Sequence, residues 1–202
     1  MKLLINIFIY KIFICHRVNT VRELKKIPEE YGVEIDLRDD LEGQIYIHHD
    51  PFKKGDLFVD YLENYNHATL ILNIKSEGIE YKVLELLDKY KIENYFFLDC
   101  SFPMIYKLSK CGENKIAQRF SEFEKANTTI STEWIWVDCF NKLPINRENY
   151  KILKEKGYKL CLVSPELQRR NGQIEEYKEY LEKEGIVFDA ICTKIYNIDR
   201  WK

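Results

Sequence analysis

The sequence predicts a compact (β/α)8 barrel, an α/β fold built on a parallel sheet. Three observations carry that prediction. Short apolar runs rich in β-branched and aromatic residues alternate with amphipathic runs along the chain, and repeated strand–helix alternation means parallel strands with crossover helices. The repeats number about eight, the strand count of such a barrel. Charged groups and histidines gather where the early strand runs end, and a barrel keeps its site at the C-terminal ends of its strands. A typical barrel takes about 250 residues, so a chain of 202 must have short loops and some missing or shortened helices. An open doubly wound sheet is the alternative. It would call for a glycine-rich phosphate fingerprint after the first strand, and none is present.

In order, the strand runs are KIFICHR, GVEIDLR, IYIHHD, ATLILNIK, ENYFFLDC, KIAQRFS, EWIWVDCF, YKLCLVS and AICTK. Gly, Asn, Asp or Pro bounds each of them, as strand ends require. The second and third are the exception to the alternation, joined by the tight turn DDLEG. Helical spacing of apolar residues appears in GDLFVDYLENYN, EGIEYKVLELLDKYK, FPMIYKLSKCG, NRENYKILKEKG and IEEYKEYLEKEG. Gly112, Gly157 and Gly185 end three of these as left-handed caps. TVRELKKIPEEYG is a further helical run that Pro28 interrupts or restarts.

Bulk properties narrow the class. The chain is 46% hydrophobic and 32% charged with a net charge of −2, which describes one globular domain over 1–202. No overall basic balance points to nucleic acid or an anionic membrane as partner. The six cysteines form no CxxC pair and sit mostly in apolar runs, so buried reduced thiols and a cytoplasmic setting are expected. Residues 1–11 make an apolar leading segment, MKLLINIFIYK. It is too short to span a bilayer and no small-residue cleavage site follows it, which leaves export as the minor alternative.

Strand side chains alternate between faces. In GVEIDLR, Val33, Ile35 and Leu37 share one face, and Glu34, Asp36 and Arg38 share the other. With helices outside, the charged face lines the interior, where charge is costly unless a cation or charged ligand compensates it. Asn73 and Lys75 share a face in LILNIK, His16 ends the first strand, and His49 follows the parity of Ile45 and Ile47. His48 has the opposite parity and is expected to point away. His67 precedes a strand and falls at the opposite end.

Two carboxylates at i, i+2 are hard oxygen ligands suited to Mg²⁺ or Ca²⁺, with Mn²⁺ as a third choice. Arg17, Arg38 and Lys75 are suited to a phosphate. His16 and His49 are suited to proton transfer on opposite sides of it. Acids, bases and cations in one place describe phosphodiester cleavage of a small-molecule substrate. Arg119 and Glu122, in QRFSE, are further candidates for the pocket wall, while Asp138 and Lys194 lie on or near later strands. Trp134, Trp136 and Phe140 are expected in core packing, with one of them walling the substrate pocket as the alternative.

HR after a strand, then GVEIDLR, then HHDP resembles the glycerophosphodiester phosphodiesterase superfamily, whose pattern is HRG, then ExD, then HD. The resemblance extends through LNIKSEG and weakens after it. QRFSE, WIWVDCF and CLVSPEL look like a short bacterial branch associated with surface-polysaccharide genes. The resemblance implies a phospholipase C-like phosphodiesterase barrel acting on a glycerophosphodiester-like compound, either a deacylated phospholipid or a glycan phosphodiester. It implies His16 and His49 as the acid/base pair, Glu34 and Asp36 as metal ligands, and Arg17 and Lys75 on the phosphate. Three positions depart from the pattern. Val18 replaces the glycine of HRG. Of the PENT stretch only Asn19 and Thr20 remain. Asn73 stands where a third acidic metal ligand is usual. The departures support an alternative from another class: a weak or inactive barrel that binds a sugar phosphate or a phosphorylated polymer.

Overall fold

In the computed structural model, which describes residues 11–202, β1 (Ile12–Cys15) lies at the centre of a parallel array. β10 (Ala190–Thr193) pairs with one edge of it and β2 (Gly32–Asp39) with the other. From β10 the parallel ladder continues through β9 (Lys159–Val163) and β8 (Trp134–Val137) to β7 (Ala117–Phe120). From β2 it continues through β5 (Leu70–Ile74) to β6 (Tyr95–Leu98). The ladder stops between β6 and β7, where a single bridge joins Phe97 and Ile116. The leading segment 1–11 lies outside the described residues except for Lys11.

β2 is the longest strand, and its length has a consequence. β5 occupies one edge of it over Val33–Leu37, and β1 takes the other edge at Gly32 and Val33 only. The upper part of that second edge is taken by β3 (Ile45–Ile47), antiparallel through Leu37, Arg38 and Asp39. β3 is in turn paired by the two-residue β4 (Asp56–Leu57). Asp40 closes the β2–β3 turn by accepting from the Glu42 and Gln44 N–H groups through Oδ1. Gly55 packs so closely on β3 that a Cβ there would lie 1.9 Å from the Ile47 carbonyl oxygen. The hairpin therefore stands over the C-terminal ends of the strands and carries His48 and His49 with it.

Helices α3 (Glu80–Lys89), α4 (Phe102–Lys110), α5 (Arg147–Glu155) and α6 (Ile174–Glu184) occupy the expected runs. Gly112, Gly157 and Gly185 all have positive φ just past three of them, as their role as caps requires. α1 (Val21–Leu24) is one turn only: Thr20 caps its start and Pro28 bars continuation of the run. α2 (Phe58–Glu63) is short because β4 takes the beginning of its run. No helix connects β7 to β8, as the chain length required. α7 (Ile198–Trp201) is an unforeseen last turn. Among the described residues no helix is long and apolar enough to cross a membrane.

The parity of β2 is as expected. Val33, Ile35 and Leu37 join a core layer with Leu24, Tyr61 and Val83 of the helices. The opposite face of the sheet has its own apolar cluster, including Ile14, Ile71, Phe96, Trp134, Trp136 and Cys192. Phe96 stacks on Trp134 with ring centroids 4.5 Å apart. Both tryptophans are core residues, whereas Phe140 is partly exposed. All six cysteines are free and five are buried.

Candidate active site

Each site residue is held by where its strand ends. His16 follows β1 directly, and its N–H donates to the Thr193 carbonyl at 2.9 Å. Arg17 then takes a left-handed conformation, φ 54°, which for a non-glycine residue costs about 1–2 kcal/mol. That turn lets the Arg17 N–H reach Glu34 Oε2 at 2.8 Å and the Val18 N–H reach the Glu34 carbonyl at 2.9 Å. Positive φ falls on Arg17 and not on Val18, so the lost glycine of HRG leaves this turn intact. Val18 is buried, and its carbonyl accepts from the Tyr61 hydroxyl at 2.9 Å.

Asn19 fits Asp36 reciprocally. Its Nδ2 donates to Asp36 Oδ2 at 2.8 Å and its Oδ1 accepts from the Asp36 N–H at 3.0 Å. β5 stands in register with β2 so that Asn73 is opposite Asp36, and Asn73 Nδ2 donates to Glu34 Oε1 at 2.8 Å. Lys75 Nζ lies 3.7 Å from Asp36 Oδ1 and 3.1 Å from Asp99 Oδ2. His16 Nε2 is 3.8 Å from Glu34 Oε2, and Arg17 Nε is 3.7 Å from Asp36 Oδ2. Six expected residues, His16, Arg17, Glu34, Asp36, Asn73 and Lys75, are thus brought together.

Glu34 and Asp36 are fully buried. Burial, and then the charge of Asp36, push the Glu34 carboxyl up to about 7, although the Asn73 amide and the Arg17 N–H oppose the shift. Burial pushes His16 down to about 3, assisted by the charges of Lys194, Arg17, His49 and Lys75. The imidazole is therefore neutral at neutral pH. Glu34 is a carboxylate short of a cation.

The donor set fits a divalent metal. Asp36 Oδ1 and Asn73 Oδ1 are buried acceptors without a hydrogen-bond partner, and two carboxylates with an amide carbonyl are hard oxygen ligands for Mg²⁺ or Ca²⁺. Among the described residues no group of three His, Cys, Asp or Glu side chains is placed to hold a metal; here the third oxygen belongs to an amide.

The remaining expected residues divide. His49 lies just past β3, with Nδ1 2.8 Å from Asp50 Oδ1, at the rim of the site. His48 Nδ1 accepts from the Asp50 N–H at 2.9 Å and so shapes the loop. Arg38, expected on the phosphate, places three of its N–H groups on the backbone: its Nε and Nη2 donate to the His49 carbonyl at 3.2 and 2.9 Å and its Nη1 to the Lys75 carbonyl at 3.0 Å. β3, which pairs with β2 at Arg38, leads into the segment that carries the His49 carbonyl to it. Glu122, a candidate for the pocket wall, accepts from the Asn141 N–H at 2.6 Å through Oε1, in the loops beyond β7 and β8. Arg119 bonds Asp99 and Asp138 and reaches the site only through Asp99. His67 bonds the Ile27 carbonyl before β5, at the opposite end.

Sequence reading missed two residues. Asp99 links Lys75 to Arg119; it follows β6 directly, and the rule used for His16 would have found it. Glu166 accepts from the Thr193 hydroxyl at 2.5 Å and the Lys194 N–H at 3.1 Å, while Lys194 Nζ donates to the His16 carbonyl at 3.1 Å. Glu166 lies in a 3-10 turn after β9, and no local pattern announces its reach to β10.

No family model matches the sequence, and no curated protein matches it. Solved structures do. A Galdieria sulphuraria protein assigned as a glycerophosphodiester phosphodiesterase superposes with a TM-score of 0.66 at 19% identity, covering 91% of this chain and 93% of that one. The fold is that of the glycerophosphodiester phosphodiesterases. The Agrobacterium tumefaciens enzyme of that name superposes with a TM-score of 0.61 at 12% identity, over 90% of this chain and 96% of its own. The Parabacteroides distasonis glycerophosphoryl diester phosphodiesterase gives 0.61 at 12%, over 90% and 82%. In this phosphodiesterase fold the cluster built on His16, Glu34, Asp36 and Lys75 occupies the C-terminal ends of β1, β2 and β5.

Proposed function

We propose that the chain is a divalent-metal-dependent phosphodiester hydrolase acting on a glycerophosphodiester-like substrate. The observation that carries this is the pair of unpartnered buried oxygens, Asp36 Oδ1 and Asn73 Oδ1, beside Glu34 and facing Lys75. Glu34, Asp36 and Asn73 would hold the metal, Mg²⁺ or Ca²⁺, which when bound draws charge from a phosphoryl oxygen. Lys75 and Arg17 add positive charge for the phosphate. His16 and His49 divide the proton transfers, one taking a proton from the nucleophile and one giving a proton to the leaving oxygen. Asp50 orients His49, and Arg38 anchors the backbone beneath it.

The same reading takes 1–202 as one domain. It also takes the parallel strands as a (β/α)8 barrel of the phospholipase C-like type, with its seam at the Phe97–Ile116 bridge. The free cysteines accord with a cytoplasmic protein.

One observation favours a second reading, a barrel that binds a sugar phosphate or phosphorylated polymer without turnover. The third ligand position is the neutral Asn73, and Lys75 stands 3.7 Å from Asp36 Oδ1, where it offsets charge that a metal would otherwise meet. Hydrolysis of glycerophosphocholine and bis-p-nitrophenyl phosphate, with EDTA or with added Mg²⁺, Ca²⁺ or Mn²⁺, separates the two. Metal-restored hydrolysis supports the enzyme. Substrate-analogue binding with no turnover in any metal supports the binding barrel.

A further inference from the structure

Lys75 is fixed at one end and shared at the other. Its N–H donates to the Leu37 carbonyl at 2.9 Å and its carbonyl accepts from Arg38 Nη1 at 3.0 Å, so its backbone is pinned to β2. Its ammonium lies between two carboxylates. It donates to Asp99 Oδ2 at 3.1 Å and stands 3.7 Å from Asp36 Oδ1 without a hydrogen bond. Among the described residues it pairs with no other acid. Asp36 Oδ2 already accepts from Asn19 Nδ2 at 2.8 Å. Asp36 Oδ1 is the buried oxygen left without a partner, and a small movement of the ammonium would fill it.

Asp99 directly follows β6 and takes a left-handed backbone, φ 60°, a conformation that a residue with a Cβ adopts only at a cost. Its oxygens are divided: Oδ2 accepts from Lys75 and Oδ1 from Arg119 Nη2. Arg119 on β7 is tied in turn to Asp138 after β8, whose Oδ1 accepts from Gln168 Nε2 at 3.0 Å. Charges of alternating sign therefore run across the ends of β5, β6, β7 and β8. The backbone makes no such link. Between β6 and β7 it is reduced to the Phe97–Ile116 bridge, and a cavity of about 440 Å³ opens with Asp99 and Cys100 on one wall and Gln118 and Arg119 on the other. A clip that only closed this seam would need Asp99 and Arg119 alone. The Asp99 carboxylate also holds Lys75, on the opposite side of β6 from the seam.

We propose that Asp99 is a positioning residue, which draws the Lys75 ammonium off Asp36 so that Asp36 Oδ1 stays open to a cation and the ammonium stays at the edge of the site for the phosphate. The proposal rests on the hydrolase reading and adds to it a residue outside the cation's own ligands. An ammonium hydrogen-bonded to Asp36 would neutralise the buried carboxylate, and a divalent ion would then have to displace it. Asp99 gives the ammonium another carboxylate. Arg119 holds the other oxygen of that carboxylate, so it cannot turn away from Lys75. An amide at position 99 would offer one acceptor oxygen where the carboxylate offers two, and no charge. Lys75 and Arg119 would then compete for it.

The test joins crystal structures to calorimetric titration with Mg²⁺ or Ca²⁺, both independent of catalysis. Crystals of the full chain grown in EDTA should keep Lys75 Nζ on Asp99. Those of Asp99→Asn should show it within hydrogen-bond distance of Asp36 Oδ1, and Asp99→Ser, which shortens the side chain as well, should show the same. Arg119 retains Asp138 and Glu124 as partners in both variants. In solution Asp99→Asn should weaken cation binding by on the order of tenfold, as coupled neighbouring charges do. Lys75→Met removes the competing ammonium, so Asp99→Asn added to it should change affinity by less than about twofold. A general loss of negative charge would instead weaken binding equally in both backgrounds, and that result overturns the proposal. So does a variant crystal in which Nζ stays on residue 99 or turns to solvent. A parent that binds neither cation ends the metal reading by itself, and the place of Nζ in the EDTA structures still decides for or against Asp99.

Discussion

Asn73 Nδ2 donates to Glu34 Oε1 at 2.8 Å while Asn73 Oδ1 is buried with no partner. The amide thus orients the carboxylate with one end and leaves the other free for a cation. A carboxylate could supply that oxygen but could not donate to Glu34; it would repel it unless a metal lay between.

Asn73→Asp should therefore tighten divalent-metal binding, because three carboxylates hold a hard cation more firmly than two and an amide. In EDTA the same variant should be less stable than the parent, since it adds a buried charge without a partner. Calorimetric metal titration and thermal unfolding with and without EDTA check both halves. Weaker metal binding would remove Asn73 from the ligand set.

The histidine roles predict unequal losses. His16→Ala and His49→Ala should each reduce turnover of glycerophosphocholine by about 10²–10⁴-fold with the fold retained by circular dichroism. His48→Ala should lose far less, because its ring serves the turn at Asp50. A good leaving group needs little acid help. The variant of the acid should therefore recover on p-nitrophenyl esters, and the variant of the base should not. Full activity in either His16→Ala or His49→Ala would end the assignment.

Arg38 should act through His49. Arg38→Met removes the two hydrogen bonds to the His49 carbonyl and the one to Lys75. Turnover should fall by about tenfold or more, on the general sensitivity of rate to small misplacements. Apparent affinity for a phosphate inhibitor should change little, since three of the guanidinium N–H groups are held by the His49 and Lys75 carbonyls. A large loss of inhibitor affinity with turnover preserved would return Arg38 to phosphate binding.

Stability of the metal-free protein should respond to pH in two opposed ways. His16 falls from 6.5 in the unfolded chain to about 3 in the fold, so the native state binds fewer protons in that window and stability drops as pH falls through it. Glu34 rises from 4.5 to about 7, so the native state binds more protons there and stability drops as pH rises through it. Relative to wild type, His16→Asn should lose the acid-side slope and Glu34→Gln the slope between about pH 4.5 and 7. Denaturant unfolding in EDTA across pH 3–8 measures both, each slope being at most about 1.4 kcal/mol per pH unit. Parallel profiles for all three proteins would show that neither group is perturbed.

The nine strand runs and the parity of Glu34 and Asp36 were legible in the sequence. Alternation along a strand is local physics, set by the pleat, and the candidate residues at 16, 34, 36, 73 and 75 all lie on or directly after a strand run. Tight caps such as Gly112, Gly157 and Gly185 are equally local. What tertiary structure decided lies where two elements compete for one side chain. Arg38 has the parity of the site, but β3 crosses the free edge of β2 and offers it the His49 carbonyl first. Glu122 is close in sequence to Arg119, but the loop after β8 brings the Asn141 N–H to it. Asp99 bridges Lys75 and Arg119 from strands on either side of the β6–β7 seam, and Glu166 crosses from β9 to β10. Sequence period says which way a side chain points. Which partner it meets depends on strand order and register, and those are fixed only when distant segments pack.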